Sequence, residues 1–232
     1  MDEAETRRGI EAVNHRWGNL TAILAGDFLL AKASELAASL GTEVAELLAA
    51  TIGRLCEGQV RELQLIYDIS RTEDQYFDAI AGKTAELYAT SCRIGGLVAG
   101  ADQAVVDRLT EFGRAYGMAF QVVDDILDLV ATDEELGKPS GNDLREGVYT
   151  LPVIRMIASG DPITMLLGQP LDTGTRNEAK NAVIAGSEIE TSKVTAQGFV
   201  NDAVEALNVL PDTPGVRGMR DAATNLLSAL DR

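Results

Sequence analysis

Apolar residues recur at helical spacing along nearly the whole chain, and no stretch alternates with period two for long enough to build a sheet. From Leu20 to Leu40, the positions Leu20, Ile23, Leu24, Phe28, Ala31 and Leu36 share one helical face. Gly41-Thr42 closes that segment and opens a second, whose Glu43 and Glu46 suit the positive end of the helix dipole. Its stripe runs through Val44, Leu47, Leu48, Ile52, Leu55 and Leu63. Thr72-Glu73-Asp74-Gln75 is a capping-box pattern that starts a third helix through Phe77, Ile80, Leu87 and Tyr88. Gly82, Gly95 and Gly96 weaken it, and a break is expected near residues 82–84. A fourth helix is expected from about Val105 to Val130. Gly137 to Gly147 reads as a polar loop, Thr150-Leu151-Pro152 restarts a helix, and Pro170 to Gly174 makes another loop. Amphipathic segments follow near 176–190 and 194–209, and a last helix runs from Thr213-Pro214 through Met219, Leu226 and Leu230. The expected fold is all-α, with one domain over residues 1–232.

Composition narrows the function. The net charge is −16, from 20 Lys and Arg against 36 Asp and Glu, which argues against nucleic acid and anionic membrane surfaces as partners. Anionic substrates remain open, because divalent cations bridge carboxylates to phosphates. No run of 18 apolar residues offers a membrane span, and Met1-Asp2-Glu3-Ala4-Glu5 is unlike a signal peptide. The two cysteines, Cys56 and Cys92, lie in apolar helical patterns, which fits core packing and a cytoplasmic location. His15, the only histidine, reads as a surface or helix-start residue, and Asp27 as a buried partner of a basic group.

The fourth helix carries the chemistry. Leu109, Phe112, Tyr116, Phe120, Val123 and Leu127 form its expected apolar stripe, while Gln121, Asp124 and Asp128 share a neighbouring face with Asp125 at the edge. Carboxylates four apart repel by roughly 0.2–0.5 kcal/mol, so the cluster invites a cation. Mg²⁺ suits it, as a hard ion taking one or two carboxylates, waters and phosphate oxygens. The alternative is a solvated face of an acidic protein. Residues able to hold a diphosphate stand at Arg7-Arg8-Gly9, Lys83-Thr84 and Lys138, and each alone reads as ordinary surface.

Together these residues resemble the trans-isoprenyl diphosphate synthase (polyprenyl synthetase) family. The family's second aspartate-rich motif is matched by Gln121, Asp124, Asp125 and Asp128. Its downstream Gly-Lys-x-x-Gly-x-Asp-Leu pattern is matched by Gly137, Lys138, Gly141, Asp143 and Leu144, and its Lys-Thr pair by Lys83-Thr84. Arg16-Trp17-Gly18-Asn19, Leu24-Ala25-Gly26-Asp27 and Glu57-Gly58-Gln59 add to the likeness, which is strong over residues 2–155. Asp2 matches the last aspartate of the first motif, just ahead of Arg7-Arg8-Gly9. The expectation is therefore a chain truncated within that motif and lacking the first helices, as a piece or through a misassigned start. A catalytically impaired homologue, acting as an isoprenoid-diphosphate binder or partner subunit, is the alternative.

The resemblance implies a bundle of helices around a central cavity. It implies condensation of an allylic diphosphate with isopentenyl diphosphate, with Mg²⁺ and a homodimeric assembly. Asp124 would be the principal ligand of the second metal cluster, Asp125 and Asp128 its support, and Asp2 a ligand of the first. Arg7 would contact the allylic diphosphate, Arg8 the isopentenyl diphosphate, and Lys83 and Lys138 the leaving group. Thr84 and Gln121 would place oxygen dipoles near the carbocation. Phe120 and Tyr116 would pack in the core or line an apolar wall. Val148 and Tyr149 stand where many relatives carry a lysine, which leaves one positive group fewer near the diphosphate. A terpene cyclase fits less well, since Glu146 and Thr150 occupy the Ser/Thr and Glu positions of the cyclase metal motif that Asn142-Asp143 would begin.

Overall fold

The fold comes from a computed structural model that describes residues 6–7, 10–132 and 140–230, without the side chain of Arg7. The chain divides into two compact units, residues 1–50 with 131–140 and residues 51–130 with 141–232. In the first unit, β1 (Thr6–Arg7) and β2 (Ile10–Glu11) pair antiparallel, Thr6 opposite Glu11. Two residues per strand are too few to show as a period-two pattern, so sequence reading missed this ladder. After it come α1 (Val13–Trp17), α2 (Asn19–Ser39) and the start of α3 (Thr42–Gln64). Gly18 separates α1 from α2 at φ +82, a region that glycine occupies without strain. The apolar residues of α2 share one helical face, a pattern that ordinarily packs against a core. Instead Leu20, Phe28 and Leu36 are exposed, and Ala37 alone is buried. Asp27 is exposed as well, not the buried partner expected from its neighbours.

The second unit holds the rest of α3, then α4 (Glu73–Ile80), a π-helical turn (Ala81–Ala85), α5 (Glu86–Val98) and α6 (Gln103–Val130). Next are α7 (Asn142–Glu146), α8 (Leu151–Ala158), a 3₁₀ turn (Pro162–Leu166), α9 (Thr173–Ala185), α10 (Glu188–Leu207), α11 (Pro214–Asn225) and a 3₁₀ turn (Leu227–Leu230). The capping box forms as expected: the Gln75 N–H donates to Thr72 Oγ1 at 3.2 Å, and the Thr72 N–H to Gln75 Oε1 at 2.9 Å. The break expected near 82–84 is a π turn between α4 and α5. The division between the last long amphipathic segments falls at residues 186–187, earlier than expected, and the region read as a loop contains α7.

α6 lies between α5 and α10 in the core, so it buries more than one stripe. Phe112, Met118, Ala119, Val122, Ile126 and Leu129 are all buried, whereas Tyr116, Phe120 and Leu127 are half-buried. Glycine brings α5 close. A Cβ at Gly113 would stand 2.5 Å from the Tyr88 carbonyl oxygen, and one at Gly117 would stand 2.6 Å from Ala85 Cα. α3 approaches the π turn in the same way, with a Cβ at Gly58 falling 2.6 Å from the Lys83 nitrogen. Cys56 is exposed on α3, contrary to the core role expected for it, because helical spacing in an apolar segment does not fix which face is covered. No helix among the described residues is long and apolar enough to cross a membrane.

Candidate functional site

Successive residues of a helix point about 100° apart, so Asp124 and Asp125 leave α6 in different directions. Asp124 is exposed and lines a cavity of about 300 Å³ with Tyr116, Phe120, Val123 and Leu127 of the same helix. Ala222, Asn225, Leu226 and Ala229 form the other side. One carboxylate thus adjoins a mostly apolar wall. Tyr88 packs behind that wall, its ring centroid 5.1 Å from Tyr116 and 5.5 Å from Phe120. Both aromatics therefore take up core packing and cavity lining at once.

Asp125 points the other way, towards α4, and is 5% exposed. Tyr76 OH donates to its Oδ2 at 2.6 Å, and Gln121 Nε2 donates to its Oδ1 at 2.8 Å. Thr84 Oγ1 in turn donates to Gln121 Oε1 at 2.6 Å. Burial pushes the Asp125 carboxyl up to about 7, the nearby negative charges of Asp124 and Glu62 add to that, and the two hydrogen bonds oppose it. Tyr76 is 1% exposed, and burial together with the Asp125 charge raises its phenol well above its ordinary value. Arg71, also buried, lies over the Tyr76 ring at 5.7 Å and donates from Nη1 to the Tyr149 carbonyl at 3.0 Å. Burial lowers the Arg71 guanidinium, and the Glu62 and Asp125 charges hold it back up.

Asp128 is buried, with the Asp143 N–H donating to its Oδ2 at 3.2 Å and the Gly141 N–H to its carbonyl at 2.6 Å. Gly141 and Asp143 are thereby tied to the acidic turn of α6. Lys83, on the π turn, donates to Glu62 Oε1 at 2.6 Å. Lys83, Thr84, Gln121, Asp124, Asp125 and Asp128 thus occur on α6 and the π turn of one unit, and hydrogen bonds join Thr84, Gln121 and Asp125 directly. Asp2, Arg8 and Lys138 lie outside the described residues, as does the side chain of Arg7. Among the described residues no three Asp, Glu, His or Cys side chains converge as a metal cage. An exposed Asp124 still suits Mg²⁺, which commonly takes only one or two carboxylates and completes its shell with water and phosphate oxygens.

Tyr76, Arg71 and Glu62 escaped sequence reading. The available signal was the i, i+4 spacing of Tyr76 and Ile80, which puts the phenol on the buried side of α4.

The chain matches the polyprenyl synthetase family model over residues 1–185. It is 38% identical to a nonaprenyl diphosphate synthase of Mycobacterium tuberculosis, over 94% of this chain and 67% of that protein. The solved decaprenyl diphosphate synthase of Rhodobacter capsulatus superposes with a TM-score of 0.90 at 33% identity, covering 98% of this chain and 72% of that one. A polyprenyl synthase of Caulobacter crescentus, solved with calcium and isoprenyl diphosphate, superposes with a TM-score of 0.92 at 31% identity, covering 97% and 71%. This chain therefore spans about two thirds to three quarters of the length of these relatives. With an all-α fold shared across that span and the second aspartate-rich motif on its central helix, the chain belongs to the polyprenyl synthetase family of prenyltransferases.

Proposed function

We propose that this chain condenses an allylic diphosphate with isopentenyl diphosphate to give a longer polyprenyl diphosphate and pyrophosphate. The observation that carries this reading is the exposed Asp124 carboxylate beside the apolar wall of Tyr116, Phe120, Val123 and Leu127. A substrate with a diphosphate at one end and a hydrocarbon at the other needs that pairing. Asp124 would hold Mg²⁺, with Asp2 belonging to a first metal cluster and Asp128 supporting the second. When bound, Mg²⁺ neutralises the diphosphate and stabilises the charge that develops as it leaves.

The chain's own groups do the rest. Lys83, Lys138 and Arg7 grip the departing diphosphate, and Arg8 holds the isopentenyl diphosphate. As the allylic C–O bond breaks, the oxygen dipoles of Thr84 and Gln121 face the positive charge left on carbon. Phe120 and Tyr116 exclude water, which would otherwise quench that carbon before the isopentenyl double bond attacks it. A new C–C bond forms, and the proton lost from the adduct leaves with pyrophosphate. We place the enzyme in the cytoplasm, which agrees with two free cysteines, and as a homodimer, which agrees with the exposed apolar face of α2.

The test is Mg²⁺-dependent pyrophosphate release from the two substrates. The wild-type chain is expected to turn over, and Asp124→Ala to lose activity by about 10²-fold or more. Release by Asp124→Ala at the wild-type rate would remove the residue from the site. Binding of isoprenyl diphosphate with no turnover by the wild type would give the chain a binding or partner-subunit role instead.

A further inference from the structure

We infer that Asp125 is the anchor of a hydrogen-bond relay, Tyr76–Asp125–Gln121–Thr84, rather than a metal ligand. Tyr76 and Asp125 are thereby positioning residues for the prenyl transfer proposed above, on which this inference rests.

The relay has one consistent direction. In its ionised form the Asp125 carboxylate accepts hydrogen bonds and cannot donate them, so the Gln121 group 2.8 Å from Asp125 Oδ1 is then its NH₂. The Gln121 carbonyl oxygen is then turned to Thr84, whose hydroxyl has to donate across the 2.6 Å between them. The Thr84 proton is committed to Gln121, and the lone pairs of Thr84 Oγ1 are what remain for an electron-poor carbon. Without Asp125 the Gln121 amide can rotate, present NH₂ to Thr84 and turn the hydroxyl proton outward, which reverses the dipole. Tyr76 OH secures the far end by donating to Asp125 Oδ2 at 2.6 Å. Tyr76 is itself pinned, 1% exposed, beneath Arg71 and edge-on to Phe77 at 5.3 Å. Both oxygens of Asp125 already accept protein hydrogen bonds at a site 5% exposed, which leaves little room there for a metal ion with its water shell.

The test uses the full chain and the variants Tyr76→Phe, Asp125→Ala and Asp124→Ala, with Mn²⁺ as the metal probe in the presence of pyrophosphate. Tyr76→Phe and Asp125→Ala are expected to bind Mn²⁺ as wild type does, while Asp124→Ala loses it. kcat is expected to fall by about 10²-fold in Asp125→Ala, with KM and the half-saturating Mg²⁺ concentration unchanged. Tyr76→Phe, which keeps the packing, falls in the same direction, and the double variant falls no further than Asp125→Ala. The Gln121 side-chain amide signal in ¹⁵N–¹H spectra is expected to be distinct in the wild type and to move to the solvent-averaged position in Asp125→Ala. Loss of Mn²⁺ by Asp125→Ala to the extent seen for Asp124→Ala would overturn the relay, as would an unmoved Gln121 signal. Neither readout requires turnover, so an inactive wild type would defeat the proposed activity while still deciding the relay.

Discussion

Asp124 and Asp125 are chemically identical neighbours with opposite surroundings, because helix rotation turns them towards different neighbours. Arithmetic on the sequence groups Gln121, Asp124 and Asp128 and leaves Asp125 at the edge. What it cannot supply is the partner on α4 that makes the edge position a buried, doubly hydrogen-bonded site. The two cysteines differ for the same reason. Cys56 is exposed on α3, whereas Cys92 packs half-buried beside the cluster of Phe112, Val200 and Leu207, and burial raises its thiol above its ordinary value. Alkylation requires the thiolate, so a raised value means less reactive species at any pH below it. Iodoacetamide at pH 8 is expected to label Cys56 quickly and Cys92 slowly, with Cys92 labelling rising only at more alkaline pH than an unperturbed thiol needs. Peptide mapping by mass spectrometry after timed quenching reads this directly. Equal rates at the two sites would show that Cys92 is more open than the packing indicates.

At the scale of elements, glycine sets how near the helices come, and that nearness places the polar groups. Gly113 and Gly117 let α6 lie against Ala89 and Ala85, and Gly117 stands one helical turn from Gln121. Thr84, next to Ala85 on the π turn, reaches Gln121 across this contact. Gly117→Val is expected to force the helices apart at a cost of about 1–3 kcal/mol. Each kcal/mol would lower Tm by about 2–4 °C in a protein of this size. Gly95→Ala is the contrast: nothing lies within 4 Å of the added Cβ, and the helix gains roughly 0.5–1 kcal/mol. Thermal melts of both variants check the pair, and equal shifts would mean that close approach is not what Gly117 provides. Much of this level was legible in the sequence. The capping box at Thr72, the extents of α2, α3 and α6, and the helix start at Thr150 all follow from local patterns. The π turn was legible only as a weakness near Gly82, and the backbone that packs closely against it, α3 at Gly58, lies 24 residues away in sequence. The relay was not legible, since it joins residues up to 49 positions apart.

For the whole molecule, the apolar surface of the first unit calls for an explanation. Leu20, Ile23, Leu24 and Phe28 are between 52% and 72% exposed, and Leu29 and Leu36 extend the apolar surface around the helix. A helix apolar around much of its circumference belongs in an interior, and contiguous exposed patches of this kind mark association surfaces. Periodicity identified α2 correctly, but what covers a stripe is a property of the assembly, which one chain's pattern does not encode. A second copy is the simplest cover. The net charge of −16 opposes close approach of two chains, so any association has to come from apolar burial rather than from attraction between surfaces. Multi-angle light scattering at micromolar concentration is therefore expected to give a mass above the 24.7 kDa of a single chain. Raising the salt should strengthen the association, because screening removes repulsion while leaving the apolar contact intact. The combined substitution Leu24→Glu and Phe28→Lys places an i, i+4 ion pair of favourable orientation on α2, so the helix is retained while its apolar face is broken. That variant is expected to return the mass to 24.7 kDa with an unchanged far-ultraviolet circular dichroism spectrum. If it stays associated, the contact lies elsewhere and the exposed face of α2 is not what holds the copies together.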